Sequence, residues 1–197
     1  MTFFVDDCEL SWLDTDVDLV HFRFMAIVLK NMPTVLAHAF AALRPGGFVE
    51  LHELNGVPRC DDGTMSDADH VLSLYKLAGR AWSRFGMDVL LAEKLGPLLT
   101  AAGFEDVRSV VRKVPIGPWP RDKKLRVIGA YQKVAVEELI QSLAGRPFEA
   151  LGLSHEESNM RLALARSALN DGSVHRYFDY YFWYARKPLG CAGEGVV

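Results

Sequence analysis

Two basic side chains, His21 and Arg23, stand near the end of the apolar run Val17 to Phe24. The run is rich in β-branched and aromatic residues and predicts a strand. Strand alternation places His21 and Arg23 on one face, with Phe22 and Phe24 opposite. Ligands of parallel α/β sheets bind at the carboxyl ends of strands. A His or Arg here could therefore orient a ligand carboxylate, and a purely structural role is the equal alternative.

A second pair, His52 and Glu53, closes the next predicted strand, residues 48–54. Glu53 could face a substrate, or serve as a general base if burial raises its pKa. The zinc motif H-E-x-x-H fails because position 56 is Gly. The cysteines are three in number and far apart, so they indicate neither a disulfide framework nor a zinc site. We therefore predict no metal site; the cysteines are Cys8, Cys60 and Cys191.

An aromatic side chain, Trp119, lies between Pro118 and Pro120. A large ring on a rigid loop is a candidate for the wall of a substrate pocket. The aromatic residues within the helix predicted over 66–85 are more simply core residues at helical spacing. His175 precedes the last predicted strand, and the pattern gives it no role.

Composition excludes several classes of protein. A net charge of −3, from 22 basic and 25 acidic residues, argues against an electrostatic nucleic-acid binder. No apolar run approaches the roughly 18 residues that a membrane span needs, and the first residues lack the basic region of a signal peptide. The unpaired cysteines favour a reducing compartment. These features predict a globular protein of the cytoplasm or nucleus without nucleic-acid or membrane contact.

Strand and helix patterns alternate along the chain, which predicts an α/β domain with a mainly parallel sheet. The last two strands are separated by a long helical excursion and could pair at one edge. The strands are predicted at 3–5, 17–24, 48–54, 107–114 and 177–186, and the helices at 33–43, 66–85, 88–102, 122–143 and 154–169. A turn is expected at 44–47, and residues 189–197 read as a flexible tail.

Three stretches carry a resemblance to a known family. They are the acidic turn Asp6-Asp7 followed by the strand V-D-L-V-H-F-R-F at 17–24, L-R-P-G-G-F-V-E-L at 43–51, and V-P-I-G-P-W-P-R-D-K-K-L-R-V-I-G at 114–129. The closing V-H-R-Y-F-D-Y-Y-F-W-Y-A-R-K-P at 174–188 also fits the family. Together they resemble class I S-adenosylmethionine-dependent methyltransferases, in particular fungal ones related to secondary-metabolism regulators and distantly to trans-aconitate methyltransferase. The resemblance covers about residues 3 to 188.

The resemblance implies S-adenosylmethionine as the cofactor. It places Asp6 and Asp7 in the acidic turn that contacts the adenine end, although a solvated loop cap is the alternative. Cys8 follows Asp7 and is included among the candidate cofactor-binding residues. The alternative is that Cys8 is only a small residue that fills space. His21 and Arg23 would line the reactive sulfonium end of the cofactor.

Glu53 and Trp119 are the substrate-side candidates. The family reaction is an in-line displacement of the methyl group by an oxygen, nitrogen or carbon nucleophile, in which positioning is the main contribution of the protein. No invariant base is required, so no catalytic residue is assigned. The acceptor would be a small molecule or a protein.

One part of the family pattern has no counterpart. No G-x-G-x-G follows a strand here, although glycines let the backbone approach the cofactor at that loop. We therefore expect a partial Rossmann-like class I methyltransferase fold that lacks the first two strands, with residues 1–188 as an incomplete domain and an added helical cap at about 66–86 and 120–170. Met1 would then be an internal methionine of a longer reading frame.

This expectation has a consequence for the sheet. In the family order the absent strands would lie beside the strand at 17–24, which would become an apolar edge. Such an edge is a pairing hazard, so we expect a marginally stable monomer or one that relies on a partner or an oligomer. Two functional alternatives stay open: a methyltransferase of doubtful activity as this chain, or a non-catalytic regulatory relative.

Overall fold

The computed structural model describes residues 6–13, 15–143 and 145–190. The strand predicted at 3–5, and most of the predicted tail, lie outside the described residues. Two compact units divide the described chain. Unit 1 comprises residues 6–53, 91–110 and 181–190, and unit 2 comprises residues 54–90 and 111–180.

Four strands and six helices are found in the described residues, and they confirm the predicted α/β class. The strands are β1 (Val17–Arg23), β2 (Leu43–Leu54), β3 (Glu105–Pro115) and β4 (Tyr177–Arg186). The helices are α1 (Met32–Ala42), α2 (His70–Ser83), α3 (Leu95–Ala101), α4 (Lys123–Ser142), α5 (Arg146–Glu149) and α6 (His155–Leu169). A 3₁₀ turn, Leu91–Lys94, leads into α3.

The strands form one sheet in the order β1-β2-β4-β3. β1 and β2 are parallel and are joined by α1, which is the crossover that a parallel pair requires. β1 has a neighbour on one side only among the described strands, so it is an edge strand of this part of the sheet. Its exposed residues are Asp18, Leu19, His21 and Arg23, so the apolar character expected of this edge stays a prediction. β3 and β4 are neighbours at the other end, as expected.

The predicted turn at 44–47 is part of β2 instead. Leu43 pairs with Val17, but the next pair is Phe48 with Leu19, so the extra residues form a bulge. Gly46 has a φ of +79°, which only glycine adopts without strain. Its amide donates to Lys187 O at 2.9 Å, and this bond keeps the bulge attached to the chain beyond β4.

The core of unit 1 lies on one face of the β1–β2 pair. Val20, Phe22, Val49 and Leu51 are buried there, together with apolar residues of α1 and α3. The opposite face is partly open: Leu19 is 53% exposed. Alternation along the two strands therefore gives β1 and β2 one apolar and one accessible face.

Unit 2 has its own core, in which α2, α4 and α6 bury apolar side chains around Phe148. Each of these helices begins at a capping side chain. Asp69 accepts a hydrogen bond from Leu72 N at 2.9 Å, and Asp122 accepts one from Leu125 N at 2.8 Å. In the sequence, Ser154 followed three residues later by Glu157 is a capping-box pattern, and the box is present at the start of α6.

Candidate functional site

Three side chains meet on the accessible face of β1 and β2 in unit 1: His21, Glu50 and His52, which we call the His–Glu–His cluster. Nδ1 of His21 lies 3.0 Å from Oε2 of Glu50. Nε2 of His52 lies 3.1 Å from Oε1 of the same carboxylate. One carboxylate thus bridges two imidazoles that come from different strands.

Strand register explains why these residues meet. His21 is the direct partner of Glu50 across the parallel pair, and Arg23 is the partner of His52. Glu50 and His52 are two residues apart and so share a face. His21 was expected near a ligand, but Glu50 was not singled out. The signal for Glu50 was its place two residues before His52 on the same strand.

The rings in the cluster are held by aromatic contacts. The His21 and His52 rings meet edge to face, with centroids 4.6 Å apart. His52 also packs against the edge of Phe182 of β4 at 4.8 Å. Burial opposes ionisation of Glu50, but the hydrogen bonds from His52 and His21 outweigh it, and the pKa of the Glu50 carboxyl is lowered. Glu50 is therefore anionic at neutral pH.

Arg23 ends β1, and its guanidinium lies over the ring of Phe24, 5.3 Å from the centroid. Phe24 was expected opposite His21 and Arg23, beside Phe22. The structure corrects this: Phe24 has a φ of +53°, which turns the chain out of the extended conformation and leaves the ring 39% exposed. The strand alternation stops at Arg23, and of the two phenylalanines only Phe22 is buried.

Asp6 and Asp7, the residues of the expected acidic turn, lie in an exposed loop of unit 1. Oδ1 of Asp6 accepts the amide of Asp7 at 2.8 Å, and Oδ1 of Asp7 accepts the amide of Glu9 at 2.9 Å. Beside them, partial burial and the charge of Asp7 raise the pKa of the Cys8 thiol. Cys8 is therefore a thiol at neutral pH, which suits a small packing residue.

Glu53 points away from the His–Glu–His cluster because it alternates with His52. It is only 2% exposed, and its Oε1 accepts the amides of Met25 at 2.9 Å and Ala26 at 3.1 Å. Desolvation raises the pKa of the Glu53 carboxyl, partly offset by these amides. The contacts make Glu53 the anchor of the loop after β1, and its substrate role stays a prediction.

Trp119 lies in unit 2, in the wall of a cavity of about 220 Å³. Its Nε1 donates to Arg176 O at 3.0 Å, and its ring stacks on His175 at 4.7 Å. Both contacts hold the indole in one orientation. The cavity is also lined by Ile116, Lys133, Leu169 and Asp171. Trp119 is thus a cavity wall, and its contact with a substrate stays a prediction.

His175, which the sequence left without a role, is oriented by Asp62. Its Nδ1 lies 2.5 Å from Oδ2 of Asp62, and its amide donates to Thr64 Oγ1 at 2.9 Å. Hydrogen bonds from His175, Cys60 and Thr64 lower the pKa of the Asp62 carboxyl. No sequence pattern pointed to Asp62, because more than a hundred residues separate it from His175.

No helix in the described part of the chain combines the length and hydropathy that crossing a bilayer requires.

Comparison with curated proteins finds relatives along most of the chain. The chain is 30% identical over 188 residues to "Methyltransferase pytC" of Aspergillus terreus, covering 94% of this chain and 58% of that protein. It is 31% identical over 187 residues to "Secondary metabolism regulator laeA" of Fusarium oxysporum f. sp. lycopersici, covering 91% and 59%. The resemblance to fungal methyltransferases and secondary-metabolism regulators is confirmed. The chain spans about three fifths of the length of these relatives.

Among solved structures, the chain is similar to phosphoethanolamine N-methyltransferase 2 of Haemonchus contortus in complex with S-adenosyl-L-methionine. The TM-score is 0.47 at 17% identity, and the match covers 93% of this chain and 36% of that one. No protein-family model matches the chain.

Proposed function

We propose that this protein is an S-adenosylmethionine-dependent methyltransferase that transfers a methyl group to a small-molecule or protein acceptor. The observation that carries the proposal is the 30% identity over 188 residues to a fungal protein named methyltransferase. The identity extends along 94% of the chain, so it supports a shared fold rather than a shared motif.

The residues present fit the cofactor in their chemistry. Asp6 and Asp7 are exposed carboxylates that can accept hydrogen bonds from ribose hydroxyls or the adenine amino group. Cys8 would pack beside them. Arg23 ends a parallel strand and can bind the carboxylate of the cofactor by charge-assisted hydrogen bonds. His21 lies on the same face of β1 and would complete this set.

When bound, S-adenosylmethionine supplies the electrophilic methyl group. The protein would hold the acceptor in line with it and exclude water. Glu53 would contribute by fixing the loop at Met25 and Ala26 next to the strand end. Trp119, in the wall of the unit 2 cavity, stays the second substrate-side candidate. No proton-transfer residue is assigned.

The second candidate is a regulatory protein that does not methylate. It is favoured by the 31% identity to a relative named secondary metabolism regulator. The edge strand β1 gives such a protein a place to pair with a partner or with a second copy of itself.

Calorimetric titration with S-adenosylmethionine separates the two candidates. A methyltransferase is expected to bind with a dissociation constant of about 100 μM or tighter, which corresponds to about −5.5 kcal/mol. Arg23→Ala is expected to weaken binding by about tenfold or more, because it removes a charge-assisted contact. Arg108→Ala, which removes an exposed arginine of β3, is the matched control and should bind like the wild type.

The opposite result is equally informative. A folded chain that gives no heat at millimolar S-adenosylmethionine would reject cofactor binding by this chain and favour the regulatory candidate. Equal weakening by Arg23→Ala and Arg108→Ala would show that Arg23 has no specific contact with the cofactor.

A further inference from the structure

The accessible face of β1 and β2 presents three metal-ligating groups within a small volume. The donor atoms of His21, Glu50 and His52 all lie within 4.8 Å of one another. Strand pairing fixes their Cα positions, because His21 and Glu50 are register partners and His52 is two residues further along β2. A site built on two paired strands is held more rigidly than one on loops.

The distances are close to those that a metal ion needs. Zinc bonds of 2.0–2.2 Å in tetrahedral geometry place neighbouring donor atoms about 3.3–3.5 Å apart. The two nitrogen–oxygen distances to Glu50 are 3.0 and 3.1 Å. The two nitrogens contact different oxygens of Glu50, so binding an ion requires one carboxylate oxygen and both nitrogens to rotate toward a common point.

The donor set selects the type of ion. Two imidazole nitrogens and one carboxylate oxygen suit Zn²⁺ and related transition ions, whereas Mg²⁺ and Ca²⁺ prefer oxygen ligands throughout. The aromatic contacts of His52 with Phe182 and with His21 already orient both rings. All three side chains are 28–40% exposed, so an ion can enter and a water molecule can complete its coordination.

We propose that His21, Glu50 and His52 form a binding site for one Zn²⁺ ion, which links the edge strand β1 to β2. The inference goes beyond the proposed methyl transfer and does not depend on it. No local zinc motif marks the site, because H-E-x-x-H fails at Gly56. The third ligand comes from the neighbouring strand.

The link has a structural consequence. β1 is paired on one side only among the described strands. An ion that bonds to side chains of both strands opposes separation of β1 from β2. Because zinc then binds the folded state and not the unfolded one, it raises the melting temperature, and the rise grows with the logarithm of the ratio of free zinc to the dissociation constant.

The experiment is a titration of ZnCl₂ into the untagged chain after treatment with a chelator and dialysis. All variants carry Cys8→Ser, Cys60→Ser and Cys191→Ser, so that thiolates do not compete for zinc. Calorimetry is expected to give one ion per chain and a dissociation constant of about 10 μM or tighter. His21→Ala and His52→Ala should each weaken binding by about tenfold or more.

Two controls make the result specific. His155→Ala removes an exposed imidazole of unit 2 and should leave zinc binding unchanged. MgCl₂ in place of ZnCl₂ should give no binding. Glu50→Gln, which keeps the shape of the side chain, provides a third ligand variant if either alanine variant melts without cooperativity.

Thermal melting supplies the second readout. Zinc should raise the melting temperature of the parent chain, and should raise that of the Glu50→Gln or His52→Ala variant by clearly less at the same zinc concentration. The proposal is overturned if the folded parent chain binds no zinc, if the ligand variants bind it as well as the parent, or if Mg²⁺ binds equally well. S-adenosylmethionine is left out throughout, so failure of the proposed function cannot be confused with failure of this one.

Discussion

Arg176→Ala is expected to lower the free energy of unfolding by about 3–5 kcal/mol. Arg176 is 2% exposed and lies against Asp69, which is 7% exposed. Its Nε lies 3.1 Å from both carboxylate oxygens of Asp69, and its Nη2 also bonds to Oδ2. Removal of the guanidinium leaves a buried carboxylate without its counter-charge, and this desolvated charge accounts for most of the loss.

Asp69 has a second contact that links the pair to a helix. The carboxylate caps α2 by accepting the amide of Leu72. Without Arg176, the carboxylate can avoid the cost of an unpaired charge only by taking up a proton or by moving toward water. Either change weakens the start of α2, whose residues Val71, Leu74 and Tyr75 are part of the unit 2 core.

Urea unfolding measured by circular dichroism tests this expectation. Arg121→Ala, which removes an exposed arginine of the same unit, should change stability by no more than about 0.5 kcal/mol. The double variant Asp69→Asn with Arg176→Met keeps a capping side chain and buries no charge, so it should recover much of the loss. A loss below about 1 kcal/mol for Arg176→Ala would show that the pair is not a major source of stability.

The ion pair also predicts a dependence on pH. Burial opposes ionisation of Asp69, but the bonds from Arg176 and from the Leu72 amide outweigh it, so the pKa of the carboxyl is lowered from its ordinary value of 3.8. A lowered folded-state pKa means that the unfolded chain binds the proton more readily. The stabilisation is complete above pH 3.8 and is lost as the pH falls through the folded-state pKa.

This dependence is measured as the difference in unfolding free energy between wild type and Arg176→Ala. The difference should be constant near neutral pH and shrink as the pH falls below 3.8. A difference that stays constant down to the acid transition would contradict a role for the ionised carboxylate.

Local sequence signals account for the elements that were predicted well. β4 was predicted at its observed bounds because ten residues with many aromatic side chains lie between a polar turn and a proline. The capping box located the start of α6 for a similar reason. In each case the deciding residues are neighbours in the sequence, so no knowledge of the tertiary structure was needed.

The predicted helix that differs from the structure does so for a local reason, which the spacing of apolar residues does not show. The helix predicted over 88–102 is a 3₁₀ turn followed by the short helix α3. Pro97 lacks an amide hydrogen and its ring would clash with the carbonyl of Glu93 in a continuous helix, so the helix begins just before the proline. The apolar spacing alone did not reveal this break.

The contacts of the His–Glu–His cluster and of the buried ion pair depend on residues that are distant in the sequence. Glu50 joins His21 through the register of two strands, and Asp69 joins Arg176 across 107 positions. Alternation shows which face a strand residue occupies, but it does not fix the partner on the next strand. The His–Glu–His cluster therefore required the structure, although His21 had been singled out by its place at a strand end.

Gly129→Ala is expected to destabilise the protein by about 3 kcal/mol or more, although alanine is the better helix former. Gly129 lies within α4, where a methyl group would stand 2.1 Å from Gly117 O and 3.1 Å from Pro115 Cγ. The first of these contacts is with a backbone atom, so no change of side-chain rotamer can relieve it. Alanine adds about 1 kcal/mol of helix propensity, which is too little to offset the clash.

The close approach at Gly129 is also a hydrogen bond. The amide of Gly117 donates to Gly129 O at 2.9 Å, so the loop that carries Trp119 is fastened to the helix at this point. A methyl group forces the loop and α4 apart and breaks the bond. Because Gly117 and Trp119 line the unit 2 cavity, the same change should widen it.

Urea unfolding provides the stability measurement, and near-ultraviolet circular dichroism reports the packing of the indole. Gly79→Ala is the matched control, since it is also a helical glycine but its methyl group would meet only Val89 side-chain carbons at 3.0 and 3.9 Å. Side-chain methyl groups can shift by a few tenths of an ångström, so this variant should stay within about 1 kcal/mol of the wild type. Gly129→Ala at or above wild-type stability would mean that the loop and α4 separate without cost. In that case the cavity wall at Trp119 is not held by α4, and the contacts of Trp119 with His175 and Arg176 O alone fix its position.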